Sequence, residues 1–264
     1  MSITQVLVTG ATGKTGSIVY QKLKQDQNFE VKGFARLGSA YASRSPEKVK
    51  ELFGSTENFY FGDIKDPQSL TKAFQDCQAL VILTSAAPKM IAPPTPGDRP
   101  QFEYATGETP ELVDYQGQKH QIDQAISAGI KRIVLVGSMG GTNENHPLNS
   151  MGNGKILIWK RKAEAYLVNS GIDYTIIRAG GLLDQPGGVR KLLVGDNDEL
   201  LINPPDDIST SIPRADVAET VVQALKESSA INKAFDLISY PETDNDSITK
   251  DFAALFAQTT GAKF

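Results

Sequence analysis

Residues 9–16 read TGATGKTG. Two phosphate-binding signals that exclude one another overlap in this stretch. Gly13-Lys14-Thr15 has the ending of a P-loop, whereas Gly10, Gly13 and Gly16 have the spacing of a dinucleotide-binding turn. A P-loop of the form G-x-x-x-x-G-K-[ST] would need its first glycine at position 8, where the chain has Val8. The loop is too short to wrap a β-phosphate, and no later strand-like run ends in the Asp-Glu pair that magnesium and water activation call for. The glycine triplet fits the other signal. Gly10 lets a strand turn sharply, Gly13 leaves room for a pyrophosphate, and Gly16 lets the next helix pack close. The helix N-terminus then offers unpaired N–H groups and partial positive charge, with Thr12 and Thr15 as hydroxyl donors.

The context outside the turn is right for this reading. Strand-like runs occupy 5–10, 29–35, 57–63, 79–85, 131–138 and 173–180, and helix-like segments fall near 14–25, 46–53, 67–76, 110–128 and 154–170. The strands are almost continuously apolar, as strands are when helices cover both faces of a parallel sheet. The expected fold is α/β, a Rossmann-type doubly wound parallel sheet. Residues 1–178 form its dinucleotide-binding core. Residues 179–264 are expected to form a smaller C-terminal lobe with a helix near 214–226, a strand near 234–239 and a last helix near 247–258. Two segments interrupt the rhythm: 86–109, which carries Pro88, Pro93, Pro94, Pro96 and Pro100, and 139–153. Both leave the carboxyl edge of the sheet, where such folds bind ligands.

Composition narrows the function. The 264 residues are 40% hydrophobic and 22% charged, with a formal net charge of −4. Nothing in that balance draws the chain to nucleic acid or an anionic membrane. The apolar runs, such as 130–136, are too short to span a bilayer. The start, MSITQVLVTG, has no basic segment followed by an apolar one, so a cytoplasmic location is expected, with organelle import left open. The single cysteine, Cys77, excludes an intramolecular disulfide and a thiolate zinc cluster. A small-molecule substrate is the expected partner, and the oligomeric state is left open.

The end of the second strand separates the two nicotinamide cofactors. An acidic residue there holds the ribose 2′-hydroxyl of NAD. This chain has Arg36 instead, and a guanidinium favours a 2′-phosphate. Lys14 and Arg44 are expected to lie within reach of the same group. NADP(H) is the expected cofactor.

Taken together, TGATGKTG (9–16), FAR (34–36), GDIKD (62–66), VILTSAAPKM (81–90), VGSMGGTN (136–143), WKRKAEAYL (159–167), YTIIRAGGLL (174–183) and IPRADVAE (212–219) resemble the atypical short-chain dehydrogenase/reductases. The nearest group is the NmrA-like and biliverdin/flavin-reductase-like one, including its plant-type NAD(P)-binding members. The resemblance spans nearly the whole chain. It implies that Asp63 and Ile64 flank the adenine and that Thr84, Ser85 and Ala86 line the nicotinamide-side ribose. By the same carry-over Ser138 takes the active-site serine position, Lys160 holds the nicotinamide ribose, and 178–182 passes near the carboxamide.

One departure bears on mechanism. The family's usual Tyr-x-x-x-Lys places both side chains on one helix face, so that the lysine lowers the tyrosine's pKa. With the lysine at Lys160, the tyrosine position is Ile156; with Lys162, it is Ile158. The proton relay is therefore missing. His146 and Tyr115 are the substitute donors the sequence offers, His120 is expected on a helix surface, and the bland alternative for the WKRK lysines is an exposed basic face. Hydride transfer to a flavin, quinone or enone is the leading expectation, since a conjugated acceptor delocalises the incoming charge. A non-catalytic NADP(H)-binding redox sensor or scaffold is the alternative.

Overall fold

A computed structural model of the chain describes residues 3–37, 45–92, 100–242 and 247–264. Arg44 and the prolines at 93, 94 and 96 lie outside the described residues. The first half alternates as the sequence predicts: β1 (Gln5–Thr9), α1 (Lys14–Gln25), β2 (Glu30–Ala35), α2 (Pro46–Phe53), β3 (Phe59–Phe61), α3 (Pro67–Phe74) and β4 (Ala79–Ile82). Local chemistry fixes the helix starts. Ser45 accepts a hydrogen bond from Lys48 N with Pro46 just inside α2, and Asp66 accepts from Gln68 N with Pro67 just inside α3. In both, the cap satisfies an orphan N–H and proline occupies the position where none is needed.

The next section departs from the expected loop. Two short antiparallel strands, β5 (Lys89–Ala92) and β6 (Gln101–Glu103), lie within 86–109. The helix expected near 110–128 is two helices: a π-helix over Glu111–Gln116 that runs into α4 (Gly117–Ser127). After β7 (Arg132–Ser138), the segment 139–153 contains the short α5 (Pro147–Ser150); then come α6 (Ile156–Val168) and β8 (Asp173–Ala179). The remainder holds β9 (Gly181–Leu183), β10 (Arg190–Gly195), α7 (Glu199–Ile202), β11 (Ser211–Pro213), α8 (Arg214–Lys226), β12 (Lys233–Glu242) and α9 (Phe252–Ala257). The last helix is shorter than expected because Asp251 caps it at Ala254 N.

Eight strands form one sheet in the order β10-β12-β8-β7-β4-β1-β2-β3, all parallel except the edge strand β10. β12, from the last third of the chain, pairs with β8 and so continues the same sheet. β1 sits between β2 and β4. The chain therefore winds outward from β1 in both directions, and the crevice above β1 and β4 is the switch point where ligands bind in this architecture. The core has two layers, one on each sheet face. Val6, Val8 and Val81 belong to the layer that α1 and α8 cover, and Leu7, Leu80 and Ile82 to the layer with Phe74 of α3 and Ile122 of α4. Among the described residues, no helix is long and apolar enough to cross a membrane.

Charges are also buried near the far end of the sheet. Arg178 of β8 is 1% exposed and its Nε donates to Glu164 Oε2 at 2.9 Å. Asp236 stands beside Arg178 in register on β12, is fully buried, and has no hydrogen-bond partner of good geometry on either oxygen. Burial, reinforced by the charge of Asp198, pushes its carboxyl up to about 6, against the pull of Arg178. Because the folded state holds this proton more tightly than the unfolded chain, stability is favoured at low pH and is lost as pH rises through about 6. Asp236→Asn removes that titration. The unfolding free energy of the variant relative to the parent, measured by urea denaturation, should rise between pH 4 and pH 6, by up to about 3 kcal/mol. A difference that stays flat with pH would contradict the assignment.

Candidate functional site

The turn after β1 has the geometry its glycines imply. Gly10 has φ +72°, and a Cβ there would sit 2.8 Å from Leu83 O. A Cβ on Gly16 would lie 2.1 Å from Gly10 O, so α1 approaches the turn more closely than any side chain permits. Gly13 is different: its φ is −73°, and a Cβ would meet only Gly10 O, at 3.1 Å. Its missing side chain leaves open space at the N-terminus of α1, whose first turn carries no acidic residue. Thr12 Oγ1 is buried without a partner beside it. An orphan hydroxyl, free helix N–H groups and a cradle that a Cβ would fill together suit a pyrophosphate.

A cleft extends from this turn along the carboxyl edge of the sheet. Gly10, Gly13, Arg36, Asp63, Ile64, Thr84, Ser85 and Ala86 all line it, so most of the residues singled out in the sequence share one cavity. Ile64 is nearly buried and forms an apolar wall. Asp63 accepts from Lys65 N at 2.9 Å, which fixes the turn after β3. Thr84 is held on both sides: its Oγ1 accepts from Gln121 Nε2 at 3.1 Å and its carbonyl accepts from Gln118 Nε2 at 3.3 Å. Thr15 lies in the first turn of α1, one residue before Gly16.

Lys14 does not join Arg36, as the sequence suggested. Its Nζ is 2.9 Å from Asp184, which also pairs with Arg214 of α8 at 2.5 Å. Arg36 pairs instead with Glu108. A lysine on the first turn of α1 reaches the neighbouring carboxylate more easily than the end of β2.

Lys160 is not part of an exposed basic face. Its side chain is 12% exposed, and Nζ lies 2.7 Å from Oδ1 of the fully buried Asp114. The other oxygen, Oδ2, accepts from Ala86 N at 2.9 Å. One buried carboxylate thus ties the lysine of α6 to the backbone of the cleft wall. The π-helix makes this possible: its wider turn places Val113 and Asp114 side by side on the buried face. Sequence periodicity did not reveal Asp114. The signal that was available is an acid between Val113 and Tyr115, which needs a buried cation if it faces inward. Lys162, the other frame for the missing motif, lies over the Trp159 ring at 4.2 Å, so Lys160 is the lysine tied through Asp114 to the cleft wall, and Ile156, four residues before it, opens α6.

The candidate proton donors are occupied otherwise. Ser138, at the end of β7, donates to Met139 O at 3.0 Å. His146 caps α5, its Nδ1 accepting from Leu148 N at 3.2 Å. Its ring packs under Gly140. Tyr115 stacks on Trp159 with centroids 5.6 Å apart. His120 Nδ1 is 3.1 Å from Ile64 O and ties α4 to the Ile64 wall of the cleft. Tyr104, following β6, has a buried hydroxyl with no partner. Burial, and then the charge of Asp114, push this phenol up to about 12, so it keeps its proton at neutral pH.

The Asp114–Lys160 pair yields a direct test. Lys160→Met strands a buried carboxylate, at about 3–5 kcal/mol. Lys160→Met combined with Asp114→Asn should recover most of that loss in urea denaturation. A single variant as stable as the parent would show that the pair does not form.

Residues 10–228 match the family described as NAD(P)H-binding. Sanguinarine reductase of Eschscholzia californica is 48% identical, over 97% of this chain and 96% of that protein. An uncharacterised chloroplastic protein of Arabidopsis thaliana is 53% identical, over 97% of this chain and 75% of its own length. The expected cytoplasmic location finds no support in that relative. The solved structure of ChuY, an anaerobillin reductase from Escherichia coli O157:H7, superposes with a TM-score of 0.59 at 23% identity, over 91% of this chain and 98% of the other. At that identity the likeness speaks to the fold alone. The glycine turn, the switch-point cleft and these matches agree: the chain belongs to the NAD(P)H-binding family and has a Rossmann-type fold.

Proposed function

We propose that the protein reduces a small conjugated acceptor with NADPH. The observation that carries this reading is the cleft itself, an intact dinucleotide cradle that continues without a break to the wall Thr84–Ala86. The nicotinamide, when bound, supplies the hydride. The chain's own residues supply position and electrostatics. The Gly10–Gly16 turn and Thr12 receive the pyrophosphate, Arg36 receives the 2′-phosphate, and Asp63 and Ile64 flank the adenine. Asp114 fixes Ala86 N and Lys160 relative to each other, so the ribose side of the cleft is rigid before any ligand arrives.

The lack of an evident proton donor in the same site favours a conjugated acceptor. No phenol stands four residues before Lys160, His146 is engaged as a helix cap, and Tyr104 holds its proton too tightly. A simple ketone needs a proton as its alkoxide forms, whereas a flavin, quinone or enone spreads the charge and takes its proton from water. A relative named for reducing sanguinarine makes that alkaloid one of the compounds to try, and the chloroplastic relative favours an organellar setting. The absent tyrosine also motivates a second reading, a redox sensor or scaffold that binds NADP(H) without turnover.

Absorbance of the reduced nicotinamide, followed as flavins, quinones, enones and sanguinarine are added, separates the two. The reductase reading expects acceptor-dependent oxidation that falls at least about ten-fold in Gly13→Val, whose side chain fills the cradle, and a preference for NADPH over NADH that Arg36→Ala removes. Saturable NADPH binding with no oxidation across the panel would establish the sensor instead.

A further inference from the structure

The adenine end of the cleft holds a carboxylate where a phosphate is expected. Glu108 reaches back from the segment that joins β6 to the π-helix, and one of its oxygens pairs with Arg36. The other oxygen is 2.6 Å from Lys65 Nζ. Lys65 in turn donates to Gly107 O at 2.7 Å and stands 3.4 Å from Asp63 Oδ2. Neither Arg36, Lys65 nor Glu108 is more than about a quarter exposed at its side chain. Arg36, Asp63 and Glu108 also line the cleft.

The charges decide what this arrangement does. Two cations face two carboxylates, so the cluster is neutral as it stands. A ribose 2′-phosphate entering a neutral cluster gains little. If Glu108 leaves, the same phosphate meets Arg36 and Lys65 against Asp63 alone, and attraction wins. If Glu108 stays, the cluster presents an acceptor for the ribose hydroxyls of NAD, the part an acidic residue at the end of β2 would otherwise play.

Resting on the cofactor reading above, we infer that Glu108 is a displaceable internal anion that sets the NADP/NAD choice, with Lys65 as the second 2′-phosphate ligand beside Arg36. The 2′-phosphate takes the place of the Glu108 carboxylate, and the carboxylate takes the place of the 2′-phosphate when NAD binds. Position 108 lies six residues before Asp114 on the same segment.

The test is equilibrium titration of the full chain with NADPH and with NADH, read from the fluorescence of Trp159, the single tryptophan. Adenosine 2′,5′-bisphosphate and AMP serve as nicotinamide-free probes. Glu108→Gln is expected to tighten NADPH and the bisphosphate about ten-fold, the equivalent of one competing charge-assisted hydrogen bond removed. NADH and AMP should be unchanged or weaker. Lys65→Met is expected to weaken NADPH and the bisphosphate by a similar factor and leave NADH alone. Equal changes for the phosphorylated and unphosphorylated ligands, or no change in Glu108→Gln, would overturn the inference and leave the cofactor reading standing. A parent protein that binds none of these ligands would overturn both.

Discussion

The contact on which the rest of the molecule depends is the approach of α1 to the turn after β1. A Cβ on Gly16 would stand 2.1 Å from Gly10 O, a distance no non-bonded carbon tolerates. Only glycine lets the helix start there, and only that start points the unpaired N–H groups of α1 into the crevice between β1 and β4. The same geometry explains why Gly13 and Gly16 have different roles. Gly16 is a condition of the fold, because its neighbours are backbone. Gly13 is under a milder constraint, because a Cβ there would meet only Gly10 O, at 3.1 Å, and the room beyond it faces the cleft.

Around this cradle the chain stabilises the cleft wall with buried ions. Asp114 is fully buried and joins a lysine of α6 to the N–H of Ala86. An ion pair so placed adds little net stability, since desolvation offsets the attraction, but it fixes geometry, since either partner alone is strongly unfavourable. The Arg36–Glu108–Lys65 cluster at the opposite end is more accessible and so more easily rearranged. The ion pair at one end of the cleft is thus buried and the cluster at the other is partly open to solvent.

Much of the fold was legible because it rests on local patterns. The apolar strands, the glycine triplet and the proline-capped helices each follow from residues close together in sequence. What escaped reading depends on distant partners. The pairing of β5 with β6 joins short runs across a proline-rich stretch, and β10 is an edge strand whose antiparallel partner lies some 40 residues further on. A π-helix has no sequence period to distinguish it, so the inward turn of Asp114 was invisible. Charge partners were the least legible. Lys14 and Arg36 are both basic residues near the expected phosphates, and only the three-dimensional positions of Asp184 and Glu108 separate their surroundings. Lys65 sits within the GDIKD motif beside Asp63, and nothing in that local pattern points to Glu108, 43 residues further on.

Transfer of deuterium from NADPH labelled at C4 of the nicotinamide to the reduced acceptor tests the central claim most directly, because it follows the hydride itself. Mass spectrometry of the product should show one deuterium per molecule from one of the two C4-labelled diastereomers and none from the other, as a fixed cofactor pose requires. Oxidation of the cofactor with no label in the product, or equal label from both diastereomers, would contradict hydride transfer in this cleft.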